Sequence, residues 1–490
     1  MMHIVHITSE LTPIAKVGGL ADVVHGLSKE LIRLGHRVEV VLPKYDCLYF
    51  QGLSHLHIEV PELWIDTGSC RFKNTIFSAI VEGIKVFLVE PHHPKQFFNR
   101  QTIYGCSDDI ARFICFSQVA LHFLSHSKIE PDLLHVHDWP TAVIPALCKE
   151  GYGPSRTKGT ALTLHNMQHQ GQCPLEDPQL EELTLLPKTL SLFQEEAGIN
   201  LLKGGIEYAD QLTTVSPQYE KEIQTTLGSC GLQTSVLKRA SHLRGILNGI
   251  DAQFWDPEKD PHLFKRYNTK TLETLLQGKK TNKRQLFKQL ELSDPTQPLV
   301  AVIARLVPQK SPHLIKHALH RTLEKGGRFL LLGTSPIPAL QEEFETLQKE
   351  CLKGAEARIL MERDEKLAHQ IFAAADLFLI PSLFEPCGLT QLIALRYGTV
   401  PLARLTGGLV NTVFDIDTSP LPLEKRNGFT FDFPDTEGVD WALLRALDCF
   451  RQDRAKWNAL MLQGLAYDFS WAHSAPAYVD VYREMLLYLP

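Results

Sequence analysis

Two kinds of hydrophobic pattern alternate along the chain. Short apolar runs rich in β-branched residues, such as HIVHI at 3–7 and LVAVIA at 299–304, are followed by stretches with helical spacing. Strands that are apolar on both faces are typical of parallel sheets covered by helices on both sides. The pattern therefore predicts an α/β protein. The predicted strands are 3–7, 37–42, 84–89, 133–136, 160–164, 211–215, 299–304, 328–333, 358–361 and 377–380.

A polar, turn-rich stretch at 256–297 separates the strands into two sets. A chain of 490 residues is too long for one hydrophobic core. We therefore predict two Rossmann-like, doubly wound domains at 1–247 and 248–470. Such domains bind ligands at the carboxyl ends of their strands, so the default site is a deep cleft between the two domains.

Composition excludes several classes of partner. A formal net charge of −6 argues against nucleic acid as a partner. No apolar run is long enough to span a membrane. The N-terminal MMHIVHITSEL lacks the features of a signal peptide, and the ten cysteines form no CxxC pair. We expect a cytoplasmic protein with reduced thiols.

The two halves open alike, with a strand, a loop containing lysine, and then a helix. In the first half the loop is KVGGLADV, where Lys16 stands beside Gly18 and Gly19. It matches neither the dinucleotide fingerprint nor the P-loop, and it is either a tight structural turn or an anion site. In the second half ARLVPQKS provides Arg305 and Lys310, which are either solvated surface charges or phosphate ligands. Three cations on two loops suit a diphosphate.

A third group of residues lies in PSLFEPCGLTQL. Gly388 falls near a predicted helix N-terminus, and Glu385 precedes it in a proline-flanked loop. The carboxylate either stabilises the helix dipole or contacts a sugar hydroxyl or a developing positive charge. Further on, Thr406 and Gly407 lie in a strand-to-helix turn that is a candidate for binding phosphate or ribose.

Two histidine-containing motifs follow predicted strands. His135-x-His137 beside Asp138 could suggest a metal site, but ligands in one extended run would point to alternating faces, so we expect none. Asp138 and His165 are candidates for binding sugar hydroxyls, the alternatives being a helix cap and a core histidine. Asp415-Ile416-Asp417 resembles a metal-binding DxD, but we expect only solvated charge there.

These motifs together resemble one family. KVGGLADV, HVHDWPTA, LTLHNMQHQG, LNGIDAQFWDP, ARLVPQKS, EPCGLTQL and RLTGGLVNTV are similar to segments of bacterial glycogen synthases and plant starch synthases, in the same order over nearly the whole chain. Those enzymes are retaining glycosyltransferases of family five with the GT-B fold. The resemblance implies glucosyl transfer from ADP-glucose to the non-reducing end of an α-1,4-glucan such as glycogen, with release of ADP and without a metal or other cofactor.

The resemblance also implies domain and residue roles. It assigns the acceptor glucan to the first domain, the nucleotide sugar to the second, and a C-terminal helix at 471–490 that packs back on the first domain. Catalytic roles fall on Lys16, Asp138, His165, Arg305, Lys310 and Glu385. Donor contacts fall on Lys16, Gly18, Gly19, Asn248, Arg305, Lys310, Cys387, Gly388, Leu389, Thr390, Thr406 and Gly407.

The chain departs from the family pattern at three positions. Val17 stands where the family usually has threonine or another small residue, Leu383 replaces an arginine, and His169 replaces a tyrosine. The alternatives to an ADP-glucose-dependent synthase are the same transfer from UDP-glucose, a catalytically silent glucan-binding homologue, and a phosphorylase, which would need a pyridoxal-phosphate lysine. Oligomeric state and regulation do not follow from the sequence.

Overall fold

The computed structural model describes residues 1–68, 70–196 and 198–488, which form two compact units. Unit 1 comprises Met1–Gly249 and the segment from Trp471 onward, and unit 2 comprises Ile250–Ser470. Residues 489 and 490 of the predicted C-terminal segment lie outside the described residues. None of the helices in the described ranges is long and apolar enough to cross a membrane.

Unit 1 is built on a nine-stranded sheet of order β12-β11-β7-β6-β1-β2-β5-β4-β3, with a small second sheet of order β8-β10-β9. The strands of unit 1 are β1 (His3–Ile7), β2 (Arg37–Pro43), β3 (Ser54–Asp66), β4 (Arg71–Val81), β5 (Ile84–Pro91), β6 (Leu133–His137), β7 (Gly159–Leu164), β8 (Gln172–Cys173), β9 (Gln194–Glu195), β10 (Gly198–Asn200), β11 (Gln211–Thr214) and β12 (Leu243–Gly245). Strand β1 lies in the middle, and it pairs in parallel with β2 and β6.

The large sheet is mixed, which corrects the prediction of a purely parallel sheet. Strands β3, β4 and β5 pair antiparallel and form one edge. Only β5 of these three was predicted. The outer strand β3 is exposed along most of its length and lacks a continuous apolar run, and the polar residues at 73–75 interrupt the apolar run of β4. A hairpin edge of this kind needs no covering helix on its outer face.

Helices connect and cover the parallel strands of unit 1. They are α1 (Gly19–Arg33), α2 (Asp109–His126), α3 (Asp138–Thr141), α4 (Ile144–Lys149), α5 (Pro187–Leu190), α6 (Leu201–Tyr208), α7 (Pro217–Glu222) and α8 (Gln233–Lys238). Helix α1 buries Val23, Val24, Leu27 and Leu31, whose spacing gives it one apolar side.

Unit 2 is a six-stranded parallel sheet of order β15-β14-β13-β16-β17-β18 with helices between the strands. Its elements are α9 (Leu272–Gln289), β13 (Leu299–Arg305), α10 (Pro312–Glu324), β14 (Arg328–Thr334), α11 (Pro338–Cys351), β15 (Ala357–Leu360), α12 (Glu365–Ala374), β16 (Leu377–Ile380), α13 (Thr390–Arg396), β17 (Val400–Arg404), β18 (Phe429–Phe431), α14 (Thr436–Gln452) and α15 (Arg454–Leu465).

The polar stretch at 256–297 is part of unit 2 and contains an 18-residue helix, α9. Leu275, Leu286 and Phe287 of this helix are buried in the core of the unit. The buried Lys279 ammonium contacts the carbonyl oxygens of Ala373 and Tyr397, so part of the polar composition serves the interior. The hydrophobicity of this stretch is low because α9 buries only one face. The stretch is not a linker between domains.

The last helix, α16 (Trp471–Tyr488), packs on unit 1 after the chain has completed unit 2. Trp471, Tyr478 and Tyr482 are buried in a cluster with Ile4 and Leu27. The fit is close, because a Cβ atom at Gly26 of α1 would lie 2.0 Å from Trp471 Nε1. Helix α16 therefore completes the core of unit 1.

Candidate functional site

The predicted site residues lie mostly in loops at the carboxyl ends of parallel strands. In unit 1 the loop after β1 carries Lys16, while Asp138 follows β6 and His165 follows β7. In unit 2 the loops after β13, β16 and β17 come from adjacent strands, since β16 pairs with both β13 and β17. Each unit thus collects its candidate residues at the edge of the sheet where α/β proteins bind ligands.

The Lys16 loop is held in place by carboxylates. Lys16 Nζ donates to Asp22 Oδ1 at 2.7 Å, and Asp22 lies in the first turn of α1. The Lys16 side chain remains 44% exposed, so the ammonium is accessible to an anion. Gly18 and Gly19 are also exposed, and nothing lies within 4 Å of a Cβ built on Gly18.

Glu10 is a functional candidate that sequence reasoning missed. Its Oε2 accepts the N–H groups of Val17 at 2.6 Å and Gly18 at 2.9 Å, and its Oε1 accepts Tyr104 Oη–H at 2.8 Å. Burial raises the pKa of Glu10, although the two backbone hydrogen bonds oppose the rise. The Gly18 amide, a predicted donor contact, is thus already engaged by a carboxylate of the protein. A glutamate six residues before a lysine gives no motif by which it could have been found.

Asp138 and His165 meet directly. Asp138 Oδ1 accepts the backbone N–H of His165 at 2.7 Å, and Asp138 adopts a left-handed φ of 54°. Burial raises the pKa of Asp138 to about 7 and lowers the pKa of His165 to about 3. The histidine is therefore neutral at physiological pH. The two candidates form one group because β6 and β7 are neighbours in the sheet.

A buried chain of histidines lies behind His165. His165 Nε2 lies 3.1 Å from His137 Nδ1, and His137 Nε2 lies 3.0 Å from His6 Nδ1. His135 Nδ1 lies 2.7 Å from Tyr482 Oη, and its Nε2 lies 2.6 Å from Thr163 Oγ1. His6, His135 and His137 have the spacing of a metal site. However, five of their six ring nitrogens already have these hydrogen-bonding partners, so the cluster is poorly suited to bind a metal.

The remaining nitrogen, His6 Nε2, is buried without a hydrogen-bond partner in the described chain. Burial lowers the pKa of His6, His137 and His165, so all three imidazoles are neutral. An orphaned N–H costs more than an orphaned lone pair, so the proton of His6 favours Nδ1. His6 Nδ1–H then donates to His137 Nε2, and His137 Nδ1–H donates to His165 Nε2. The proton of His165 is consequently on Nδ1. His165 is therefore a hydrogen-bond donor at Nδ1, which suits a hydroxyl ligand.

Asn248 is buried at the end of unit 1. Its Oδ1 has no hydrogen-bond partner among the described residues. A buried carbonyl oxygen without a donor is unfavourable, and a ligand hydroxyl would satisfy it. This is the one predicted donor contact with an unused buried acceptor in that part of the chain that the structure describes.

In unit 2, Lys310 and Glu385 form an ion pair. Lys310 Nζ donates to Glu385 Oε2, which also accepts Ser382 Oγ–H at 2.9 Å. Glu385 is buried, whereas Lys310 is one-quarter exposed. The exposed Arg305 at the end of β13 has no partner within the described ranges. The loop after β13 thus carries one ammonium paired with a buried carboxylate and one guanidinium without a side-chain partner in the described ranges.

Backbone contacts join the two loops that carry this pair. Leu383 N–H donates to Gln309 O at 2.8 Å, and Gln309 Nε2 donates to Phe384 O at 3.0 Å. Arg404 at the end of β17 donates to the carbonyl oxygens of Ser382 and Leu383. Arg404 is a supporting residue that sequence reasoning missed. It braces the segment in which Leu383 replaces the arginine of the family pattern.

Gly407 and Gly408 allow the next loop to approach Glu385 closely. A Cβ on Gly407, whose φ is 47°, would lie 1.9 Å from Glu385 O, and one on Gly408 would lie 2.1 Å from Cys387 O. Gly408 N–H donates to Glu385 O at 3.0 Å. Thr406 and Cys387 are both buried. The turn that was a candidate for binding phosphate or ribose therefore has a packing role of its own.

Helix α13 begins at Thr390, two residues after Gly388, which has a φ of 73°. Leu389 and Thr390 are partly exposed. Gln391 Nε2 donates to the carbonyl oxygens of Cys387 and Gly388 at 3.1 and 3.0 Å. The EPCGLT segment is thus fixed from behind, and its partly exposed residues remain available to a ligand.

The DxD motif corrects a prediction for Asp415, because that carboxylate is buried and not solvated, whereas Asp417 is exposed. Asp415 is buried and pairs with Arg445 Nη2 at 2.9 Å, while Asp417 pairs with Arg445 and Lys456. Burial by itself would raise the pKa of Asp415, but hydrogen bonds from Arg445 and from backbone amides lower it to about 2. The motif is a structural ion-pair network.

Comparison with known proteins identifies the family. The starch synthase catalytic domain family matches residues 3–238, and the glycosyl transferases group 1 family matches residues 283–459. Glycogen synthase from Protochlamydia amoebophila is 43% identical to the chain, over 99% of both proteins. The chain belongs to the glycogen and starch synthase family.

Plant members of the glycogen and starch synthase family are similar to the chain as well. Probable starch synthase 4 of Arabidopsis thaliana is 44% identical over 99% of this chain, which spans 47% of that longer protein. The solved catalytic domain of starch synthase IV from the same plant, bound to ADP and acarbose, superposes with a TM-score of 0.94 at 42% identity over 99% of both chains. The predicted two-domain GT-B fold is confirmed, and the protein is a glycosyltransferase of the glycogen synthase family.

Proposed function

We propose that this glycosyltransferase transfers glucose from ADP-glucose to the non-reducing end of an α-1,4-glucan such as glycogen, with retention of configuration and release of ADP. The observation that carries the proposal is the Lys310–Glu385 pair beside the unpaired Arg305. The ADP bound to the solved relative supports the choice of nucleotide.

In unit 2, we assign the leaving diphosphate to Arg305 and Lys310. Arginine offers a planar fork to phosphate oxygens, and lysine offers a compact charge. Glu385 orients Lys310 and contacts the donor glucose. Partly exposed Gly388, Leu389 and Thr390 contact the nucleotide, whereas the buried Cys387, Thr406 and Gly407 shape the loops around it.

In unit 1, we assign Lys16 to the donor diphosphate and Asp138 and His165 to the glucose hydroxyls. Gly18 and Gly19 permit close approach of the backbone, although a direct contact by the Gly18 amide requires that Glu10 release it. Asn248 offers its unused Oδ1 to a donor hydroxyl. The first unit binds the acceptor glucan.

The physical basis of catalysis is electrostatic. Breaking the bond between the anomeric carbon and the phosphate oxygen places positive charge on the sugar and negative charge on the diphosphate. Fixed cations that bind the departing charge more strongly than the ground state accelerate this step, and one such group contributes about 3 kcal/mol, or on the order of a hundredfold in rate. The acceptor attacks on the face from which the diphosphate leaves, and a phosphate oxygen takes its proton. No enzyme nucleophile is required.

A donor-specific elongation assay tests the proposal. ADP or UDP release on glycogen is measured with ADP-glucose and UDP-glucose at matched concentrations, with and without chelator. We expect faster transfer from ADP-glucose and no effect of chelator, since the proposed chemistry uses side-chain cations only. Equal rates with both donors would disprove strict ADP preference, and no transfer from either would favour a silent glucan-binding protein.

We also propose a cytoplasmic location. None of the ten cysteines forms a disulfide bond, which suits a reducing compartment. Fractionation of the native source tests this, and recovery of the protein outside the cytoplasm would contradict it.

A further inference from the structure

Asp260 joins two histidine-bearing segments of unit 2. Its Oδ1 accepts the His262 backbone N–H at 2.8 Å. Its Oδ2 lies 2.7 Å from His369 Nδ1 and accepts Tyr397 Oη–H at 2.6 Å. The His262 N–H and the Tyr397 O–H are both donors, so Asp260 acts here as a hydrogen-bond acceptor. The Asp260 side chain therefore accepts a hydrogen bond from the N–H group at His369 Nδ1.

The second ring nitrogen of His369, Nε2, makes no hydrogen bond within the described part of the chain. With the proton on Nδ1, Nε2 carries a lone pair, and it is buried without a hydrogen-bond partner in the described part of the chain. The residue is 1% exposed, and its ring is stacked on Trp255 with centroids 4.1 Å apart. A carboxylate on the far nitrogen and a fixed ring are the arrangement found behind metal-binding histidines.

Two further residues offer ligand atoms close to the His369 ring. Glu365 precedes His369 by four residues on α12, so the two side chains share one face of the helix. Ligand atoms of His262, Glu365 and His369 all lie within 4.8 Å of one another. Ligands about 2.0–2.2 Å from a common ion sit roughly 3.3 Å apart. The partly exposed His262 and the exposed Glu365 have to rotate toward the ion to supply the difference, whereas His369 stays fixed.

We propose that His262, Glu365 and His369 bind a divalent transition metal of the zinc type, with water as the fourth ligand. Two imidazoles and one carboxylate suit Zn²⁺ better than Mg²⁺ or Ca²⁺, which prefer oxygen ligands. The ion ties the segment around His262 to helix α12. It has no part in glucosyl transfer, so the proposal stands apart from the function proposed above.

Metal binding by the purified full-length protein tests this inference. Chelator-treated protein is titrated with Zn²⁺ alone against a chelating dye, and with Co²⁺ followed by its visible absorption. We expect one tight site with the intense bands of four-coordinate Co²⁺. His262→Gln and Glu365→Gln should each weaken Zn²⁺ binding at least tenfold. Glu362→Gln, an exposed carboxylate just before the same helix, should bind as the parent does.

The surface pair His122 and His126, one turn apart on α2 with ring centroids 6.4 Å apart, is an exposed pair that can bind Zn²⁺ adventitiously. The titrations are therefore repeated in a His122→Gln background, where we expect the tight site to persist. Zinc should also raise the Tm of the parent but not of His262→Gln. Absence of a tight site, its loss with His122→Gln, or unchanged binding in both His262→Gln and Glu365→Gln would overturn the proposal.

Discussion

Lys310 and Glu385 meet although 75 residues separate them in the sequence. The contact depends on β13 and β16 being neighbours in the sheet, which brings together the loops that follow them. Before a donor binds, the carboxylate partly neutralises the ammonium. Under the proposed function, a diphosphate would offer Lys310 a second, more highly charged partner, which would keep the lysine ordered during the reaction.

Replacing Lys310 with glutamine tests its assigned role. Lys310→Gln should lower the rate of glucosyl transfer about a hundredfold, because one fixed group that stabilises departing charge is removed. The measurement is ADP release from saturating ADP-glucose on glycogen. Lys316→Gln is the matched control, since Lys316 on α10 also forms an ion pair, with Glu343 on the surface. Equal activity of the two variants would refute the assignment of Lys310.

The pKa of Asp138 gives a second prediction at the same scale. The folded-state pKa of about 7 lies above the ordinary value of 3.8, so the folded protein binds the extra proton between those pH values. The stabilisation that comes with this proton is complete below about pH 4 and is lost as the pH rises through 7. The Asp138→Asn variant has no ionisable group at this position, so its stability does not fall in this way as the pH rises. The difference in Tm, variant minus parent, should thus be more positive at pH 8 than at pH 5.

Thermal unfolding of both proteins at the two pH values measures this difference. Asn tolerates the left-handed backbone at position 138, so the substitution adds little strain. Asp66→Asn, at an exposed position, should show no comparable pH dependence. If the Tm difference were the same at pH 5 and pH 8, ionisation of Asp138 would not destabilise the folded protein, and the prediction would be wrong.

At the level of elements, the sequence predicted what depends on local pattern. All ten predicted strands are present, each within two residues of the predicted bounds. Strand β3 was missed because its exposed face breaks the apolar run, and helix α9 was missed because only one face is buried. Buried parallel strands are easy to recognise because both faces are apolar.

The site was less predictable than the strands. Lysines and glycines at strand ends were visible as motifs, but Glu10, Arg404 and the His6–His137–His165 chain were not. Glu10 and Arg404 bind backbone groups of loops. The histidine chain depends on partners on other strands, as in the contact between His6 on β1 and His137 on β6. A pairing of this kind depends on strand order, which the periodicity of one segment does not contain.

The turn after β17 gives a prediction about elements. Gly407→Ala should destabilise unit 2 by about 2 kcal/mol or more, because the new Cβ would overlap the Glu385 carbonyl oxygen and the backbone φ is positive. It should also lower transfer by displacing Glu385. Gly35→Ala is the matched control, since Gly35 has a φ of 85° but nothing within 4 Å of its Cβ. Denaturant unfolding measures both.

The control should lose only about 1 kcal/mol, the cost of placing alanine in a left-handed conformation. The excess loss at position 407 then reports the close approach of two loops. If both variants were destabilised equally, the packing role assigned to Gly407 would be wrong.

At the level of the whole molecule, unit 1 is made from two distant parts of the chain. Helix α16 buries Trp471, Tyr478 and Tyr482 in the core of that unit. A protein ending at Ser470 should therefore lose protection in β1 and α1 while the sheet of unit 2 keeps its own. Hydrogen–deuterium exchange by segment measures this, with Leu487→Ala as a control at an exposed position. Unchanged exchange in β1 and α1 would contradict the role of α16.

The position of helix α16 in the chain has a consequence for synthesis. A ribosome must translate all of residues 250–470 after finishing residues 1–249 before it makes Trp471. At about 5–20 residues per second, that interval lasts roughly 10–45 s. During it the nascent unit 1 displays the apolar surface that Trp471 and its neighbours later cover. We therefore expect the newborn chain to need chaperone protection during this interval, even though the finished protein hides the surface completely.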